Sequence, residues 1–539
     1  MPGAVRIFAA SLFFLLSFHL AGAQQKKYIV YFTDKNNSSF SVSNPSQFLS
    51  ARSIQRRQKQ GIPVTVRDLP VNVSYVDSLR SKGATVWYSS RWFNAALVFA
   101  DSAQHADILT LPFVQNSKQV NRKAVPSPAF RETQESVDLS QSNPSYGSSF
   151  NQLSMIGVDY MHAQGFHGEG IQIAILDAGF SNANTLFFFD SLFANNRILA
   201  TWDFVDHEVN VYDNHSHGTN VLSILGGYAS GQLIGPAYKA HYYLLRTEQS
   251  ASEYQVEEVN WLMGAEYADS AGADIISSSL GYSTFDDPST NHTYADLNGN
   301  TTIVTRAADM AVSTGMIVVN SAGNEGATPW YYLIAPADGD SVLAIGAVDA
   351  SEHYASFSSH GPSSDGRIKP DVSAKGSGVT IGTPANTITT GSGTSFSCPL
   401  VSGLTAGLWQ AYPGLKNTEL IDYIKRSADH YATPDAFTGY GIPSFRRASE
   451  LINLAGTSKA YCYPNPAWQD VNLVIPSQEI DNPLNVRIYD LLGQLIYQED
   501  IIRAGQVNKL NLDASRLSEG MYLIVVKGAG VYKMKLMKL

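Results

Sequence analysis

The sequence predicts an α/β protein: a central parallel sheet with helices on both faces, preceded by a small α/β unit and followed by a small β-sandwich. Three observations carry this. From about residue 151, continuous apolar runs alternate with helical stretches closed by glycine, the pattern of buried parallel strands joined by helical crossovers. Ahead of it, residues 24–120 read strand, helix, strand, helix. After about residue 459, strands alternate apolar and polar between Gly and Asn turns.

The chain opens "MPGAVRIFAASLFFLLSFHLAGAQQKK". One Arg, an apolar run and Ala21-Gly22-Ala23 before Gln24 predict a signal peptide over residues 1–23, the alternative being a membrane anchor. No later segment is apolar and long enough to span a bilayer. In the next unit, "KYIVYF" alternates like a strand, "VSYVDSLRSKGA" is a helix closed by Gly83, "RWFNAALVFA" is a second strand and "SAQHADILTLPFV" a second helix. Residues 121–150 are polar, rich in Pro and Ser and without period, so they form a linker exposed to proteolysis.

In the central part the predicted strands are "IQIAILDAGF", "HYYLLRT", "ADIISSSLGY", "GMIVVNSAGNEG" and "SVLAIGAVD". Between them stand the helices "VEEVNWLMGAEYADSAG" and "NTTIVTRAADMAVSTG", and the whole unit spans residues 151–456. The last unit, 459–539, contains "VRIYDLLGQLI" and "LSEGMYLIVV" and ends in "KMKLMKL".

Composition narrows the function. With 44% hydrophobic and 16% charged residues a large core is available. The net charge of −10, with no cluster of Lys and Arg beyond "RSIQRRQK", argues against a nucleic-acid partner. The two cysteines, Cys398 and Cys462, stand far apart and do not point to a disulfide.

In a parallel sheet, chemistry gathers at the carboxyl ends of the strands. Asp177 ends "IQIAIL", His217 opens the helix "HGTNVLSILGG", and Ser395 stands at the start of "GTSFSCPLVSGLTAGLWQAYP". Taken singly they read as a turn or cap aspartate, a loop histidine and a helix-capping serine. Together, in the order Asp, His, Ser, they supply what a serine nucleophile requires: a base to take its proton and a carboxylate to fix that base in one tautomer.

At this point the chain resembles the subtilisin-like serine proteases, the subtilases, which use that order. The matching motifs are Asp177-Ala-Gly, His217-Gly-Thr, "SSSLG" at 277–281, "NSAGNEG" at 320–326, "FSSHGP" at 357–362, "RIKPDV" at 367–372 and Gly393-Thr-Ser395. The resemblance covers about residues 151–455. Ala178 stands where the family usually has Ser or Thr, and "SFSCPL" replaces its common Ser-Met-Ala-x-Pro-His. Neither change removes a catalytic group. The resemblance implies a secreted endopeptidase with Ser395 as nucleophile, His217 as base, Asp177 as orienting carboxylate and Asn324 in the oxyanion hole. It places Ser279, Leu280 and Gly281 along the peptide, Ala322 and Gly323 opposite, and Ile334 at the base of the S1 pocket, implying an apolar or aromatic P1 preference. Cys398 lies one turn beyond Ser395 and reads as a small buried apolar residue.

The chemistry requires no cofactor. "DLNGN" presents Asp296, Asn298 and Asn300 as alternating oxygen side chains near a glycine, open to two readings, a structural calcium site or a plain turn. The pair His215 and His217 does not suggest zinc, since His217 is already used.

Residues 24–120 stand where subtilases carry a propeptide that assists folding and blocks the cleft, the alternative being an unrelated adhesion domain. The C-terminal unit resembles the sorting domain of the type IX secretion system of Bacteroidota, on "YPNP" at 463–466, "VRIYDLLGQLI", Gly520, Tyr522 and the basic end. Its partners would be protein or peptide substrates, its own propeptide and the secretion machinery. A rival reading keeps the fold as a catalytically silent surface protein that binds peptides or partners. A further one makes the enzyme a dedicated processor of a single exported protein.

Overall fold

A computed structural model describes residues 25–121, 133–135, 145–455, 460–463, 465–475, 483–501, 509–528 and 530–539. The signal segment and most of the linker lie outside these residues.

The N-terminal body is a four-stranded antiparallel sheet in the order Thr85–Ser90, Ala95–Ala100, Lys26–Phe32, Val114–Gln119. The first strand is apolar on both faces because both faces are covered. Tyr28, Val30 and Phe32 pack with Val76, Leu79 and Ile108, which belong to the helices Val73–Ser81 and Ser102–Leu109. Ile29 points the other way, with Trp92, Ala95 and Leu97, into a core shared with Val259 and Trp261 of the central body.

Three elements here were not predicted. The strands Thr85–Ser90 and Val114–Gln119 carry mixed side chains, and the run "RSIQRRQK" is a helix, Ala51–Gln60. That helix is capped by Ser50, whose hydroxyl accepts from Ser53 N–H, and ends at Gly61 in the left-handed region. Its buried face is made of Ser53, Arg56, Arg57 and Gln60. The reason is electrostatic: Arg56 and Arg57, with Arg91, converge on the fully buried Asp269 of the helix Val256–Ala271. Burial alone would raise the Asp269 carboxyl, yet Arg56, Arg91 and Arg57 hold it below the usual range. Nearby, Glu266 accepts from the backbone N–H of Arg91 and Trp92 at 2.9 and 3.2 Å.

The central body is a seven-stranded sheet, all pairs parallel, in the order Val372–Lys375, Leu343–Val348, Ile317–Ser321, Ile275–Ser278, Gln172–Asp177, His241–Arg246, Ile198–Asp203. Alternate strand residues feed two cores. Ile173, Ile175, Ile275 and Val319 meet the helices His217–Gly226 and Thr394–Ala411 on one face. Ala174, Leu176, Ile276 and Val318 meet Val256–Ala271 and Ile303–Ser313 on the other. All five predicted strands are present.

A hairpin of Val379–Thr383 and Thr387–Ser392 leads directly into the helix Thr394–Ala411. The short strand Thr133–Glu135 adds antiparallel to this hairpin, with Thr133 opposite Ser392. The C-terminal body is a sandwich of two antiparallel sheets, ordered Tyr461–Tyr463, Asp470–Val474, Lys509–Asp513 and Leu495–Ile501, Leu484–Tyr489, Gly520–Lys527, Val531–Lys538. Val471, Leu473, Val486, Ile488, Ile524 and Leu536 fill the space between them. Among the described residues no helix is long and apolar enough to cross a membrane.

Candidate active site

Asp177 ends the interior strand Gln172–Asp177 and is fully buried. Its Oδ1 accepts from Ala178 N–H at 2.7 Å and lies 2.8 Å from His217 Nδ1. His217 opens its helix, and that helix can approach only because the next residue is glycine. A Cβ on Gly218 would stand 2.4 Å from the Gly179 carbonyl oxygen and 3.0 Å from Asp177 Cβ. The carboxylate therefore faces one ring nitrogen and orients the other away from itself.

Ser395 is the second residue of the helix Thr394–Ala411. Its N–H is one of the donors that a helix start leaves without an intrahelical partner, in the positive field of the helix dipole. Ser395 Oγ donates to the Ser279 carbonyl at 3.4 Å, and Ser279 Oγ donates to the Ser395 carbonyl at 2.9 Å. The His217 ring lies over Phe396, centroids 6.3 Å apart and planes 24° from parallel. Base and hydroxyl are thus brought to the same helix start.

Asn324 is oriented by Thr394, whose N–H and Oγ1 donate to Asn324 Oδ1 at 2.8 and 3.0 Å. A Cβ built on Gly393 would be 3.6 Å from Asn324 Nδ2, 3.8 Å from its Oδ1 and 3.8 Å from Ser395 N, so the amide group and the Ser395 N–H lie near one point. Such a pair can hold negative charge developing on a carbonyl oxygen.

The cleft, about 400 Å³, runs past His217, Ser279, Leu280, Gly281 and Ile334. Asn320 Nδ2 donates to the Leu280 carbonyl at 2.9 Å and pins that segment. The Ile334 side chain lies between two walls: a Cβ on Gly281 would meet it at 2.5 Å and one on Gly323 at 2.8 Å. Ile334 N–H donates to the Ala322 carbonyl at 3.1 Å, which ties it to the strand carrying Asn324.

Cys398 is fully buried, its Sγ 3.4 Å from the Ser278 carbonyl and 3.5 Å from that of Val319. Burial pushes its thiol up to about 12, so it is not a thiolate at neutral pH. Cys398 and Cys462 are both free.

Asp296, Asn298 and Asn300 do not join this site. Asp296 accepts from the N–H and hydroxyl of Thr293, each at 2.7 Å. Asn298 Oδ1 accepts from Asn300 N–H at 2.9 Å and from Thr301 at 3.1 Å. These side chains hydrogen-bond within their own turn.

Two features of the site escaped sequence reasoning. Thr394 fixes the amide of Asn324, and Glu248 and Glu253 line the cleft. The signal for the second was present in "TEQSASEYQVEE", four glutamates just after a strand end.

Comparison with known proteins agrees with this geometry. Residues 168–441 match the subtilase family, residues 27–136 match the peptidase S8 propeptide domain of Bacteroidota, and residues 461–538 match the secretion system C-terminal sorting domain. Subtilisin E of Bacillus subtilis is 27% identical over 456 residues, covering 82% of this chain and 97% of that protein. Subtilisin DY of Bacillus licheniformis is 29% identical over 301 residues, 55% of this chain and 97% of its own. Alkaline elastase YaB of a Bacillus strain is 26% identical over 298 residues, 55% and 69% respectively. The sorting domain marks a secreted or cell-surface protein. With half of its length matched and its relatives serine endopeptidases, the chain belongs to the subtilase family.

Proposed function

We propose that the enzyme cleaves proteins through an acyl-enzyme formed on Ser395. His217 takes the Ser395 proton as Oγ attacks the peptide carbonyl, and returns it to the departing amine; water then repeats the sequence to release the acid. Asp177 holds His217 in the tautomer with the proton on Nδ1 and stabilises the imidazolium. Asn324 Nδ2 and Ser395 N–H hold the oxyanion. The observation that carries this reading is the buried 2.8 Å contact between Asp177 and His217, whose ring lies against Phe396, the residue after Ser395. A fluorophosphonate probe followed by peptide mapping tests it. Label on Ser395 is expected, and a folded protein that takes no label would favour the silent binding protein instead.

The N-terminal body acts as propeptide and is released by cleavage in the linker. The pairing of Thr133 with Ser392, three residues ahead of Ser395, supports this by placing linker backbone beside the nucleophile. Removing one partner of a buried ion pair costs about 3–5 kcal/mol. Asp269→Ala, which strands Arg56, Arg57 and Arg91, is therefore expected to loosen the cut N-terminal body. After linker cleavage it should leave the mutant faster than it leaves the wild type, as followed by size exclusion over time. Equal retention would remove Asp269 from the interface. The C-terminal sandwich serves as the address for the type IX machinery.

An uncharged base at Ile334 gives nothing to attract Lys or Arg. Profiling with a peptide library is expected to return apolar and aromatic P1 residues, and dominance of basic P1 residues would overturn the assignment.

A further inference from the structure

Beyond the triad the cleft carries a second concentration of charge. Glu248 follows the strand His241–Arg246 at its carboxyl end, and Glu253 and Glu257 lie on the loop and first turn of the helix Val256–Ala271. Their carboxylate oxygens all come within 4.8 Å of one another. Glu248 and Glu257 are 8% and 1% exposed, and Glu253 is half-buried. Glu248 and Glu253 line the same cleft as Ser279, Leu280 and Gly281. Among the described residues no Lys, Arg or His forms an ion pair with any of the three.

Carboxylates this close and this buried repel one another unless a proton or a cation stands among them. Burial, then Asp177, pushes Glu248 up to about 8. Burial first, then the neighbouring carboxylates, raises Glu253 and Glu257 well above the usual range. Glu257 has two backbone donors, Gln249 and Tyr254 N–H, each at 3.1 Å, and neither supplies a charge.

A second observation points to an incoming group. Tyr282, fully buried, has a hydroxyl with no hydrogen-bond partner, and Glu248, Glu257, Glu253 and Glu258 are the charges that act on it. Its oxygen is an unused acceptor at the carboxylate cluster. Glu258 itself is engaged by His292 at 2.7 Å. From the N-terminal body, Lys27 acts on Glu257. That charge departs with the propeptide.

We propose that Glu248, Glu253, Glu257 and Tyr282 form a substrate subsite for a cationic side chain, lysine or arginine, at one of the residues P2 to P4 on the acyl side of the scissile bond. The peptide strand laid along Ser279–Gly281 directs side chains on that side toward the cluster. An ammonium or guanidinium there accepts the three carboxylates as partners, and the Tyr282 oxygen completes its shell. Selection is then dual, apolar at P1 and basic further along. This inference rests on the serine-endopeptidase reading of the cleft, which the Ser395 label reports separately.

The test is kcat/KM of the linker-cleaved enzyme on matched peptides with lysine or norleucine at P2, P3 and P4, in EDTA and in calcium chloride. A charge-assisted contact predicts a preference for lysine of about 10- to 100-fold at one of these positions, in EDTA as well as in calcium. In Glu253→Gln the ratio of the lysine to the norleucine kcat/KM should fall severalfold at that position. Norleucine preferred or equal at all three positions of the wild type, with Ser395 labelling normally, overturns the proposal without recourse to any variant. So does a lysine preference untouched by Glu253→Gln. Cleavage that requires calcium and ignores the peptide charge would make the cluster a metal site and also overturn it.

Discussion

Ser395→Ala is expected to lower turnover of casein or a peptide substrate by about 10⁶-fold, the scale that loss of the triad serine carries in subtilisin itself. The expectation rests on the absence of a substitute among the neighbouring hydroxyls and thiol. Thr394 Oγ1 donates to Asn324, and Ser397 Oγ donates to the Thr394 carbonyl at 3.0 Å. Ser392 Oγ accepts from Gly378 N–H at 3.0 Å, within the hairpin. Cys398, with its thiol pushed up to about 12, faces the carbonyls of Ser278 and Val319 under the helix. What survives in the mutant is oxyanion stabilisation and binding, worth about 10³–10⁴ over water. Two readouts check this: steady-state hydrolysis, and the integrity of the linker, which stays uncut when the chain is produced without added protease. Hydrolysis within tenfold of the wild type, in a folded mutant, would place the nucleophile elsewhere.

Much of this arrangement was legible in the sequence, and the reasons differ by element. The central strands are buried on both faces, so "IQIAIL" and "MIVVN" read as unbroken apolar runs that few other structures allow. The triad residues read as a set because each follows or opens such an element. The helix Ala51–Gln60 did not read, because its inward face is Arg56, Arg57 and Gln60. Hydrophobic periodicity detects only burial that excludes charge, and this face is buried against Asp269 by ion pairs. The edge strand Ile198–Asp203 and the strand Val114–Gln119 failed for a related reason, being only partly covered and mixed in composition. The glutamates of the cleft were hidden differently. Glu248 precedes Glu253 by a loop, and only the fold shows that the loop returns the second carboxylate to the first. The sorting domain reads from short motifs and strand alternation near residues 461–538, which need no tertiary packing to be visible.

Asn324→Ala is expected to lower kcat by about 10²–10³-fold with KM nearly unchanged, the magnitude that removal of this donor carries in subtilisin. The split follows from when the contact is made. In the ground state the substrate carbonyl is neutral and gains little from a second donor; in the tetrahedral state its oxygen is charged, and Nδ2 has been oriented in advance. The Thr394 contacts of 2.8 and 3.0 Å to Asn324 Oδ1 hold the side chain by its oxygen and leave Nδ2 as the donor. Thr394→Val separates the two roles. It keeps the Thr394 N–H contact and removes only the hydroxyl, so Asn324 remains but is held by one donor instead of two, and kcat should fall by less than in Asn324→Ala. Near-wild-type melting temperatures in both variants would exclude a folding defect. A kcat unchanged in Asn324→Ala, or a loss confined to KM, would show that the oxyanion is held by Ser395 N–H and some other group, and the amide at 324 would be left as a structural link to the helix start.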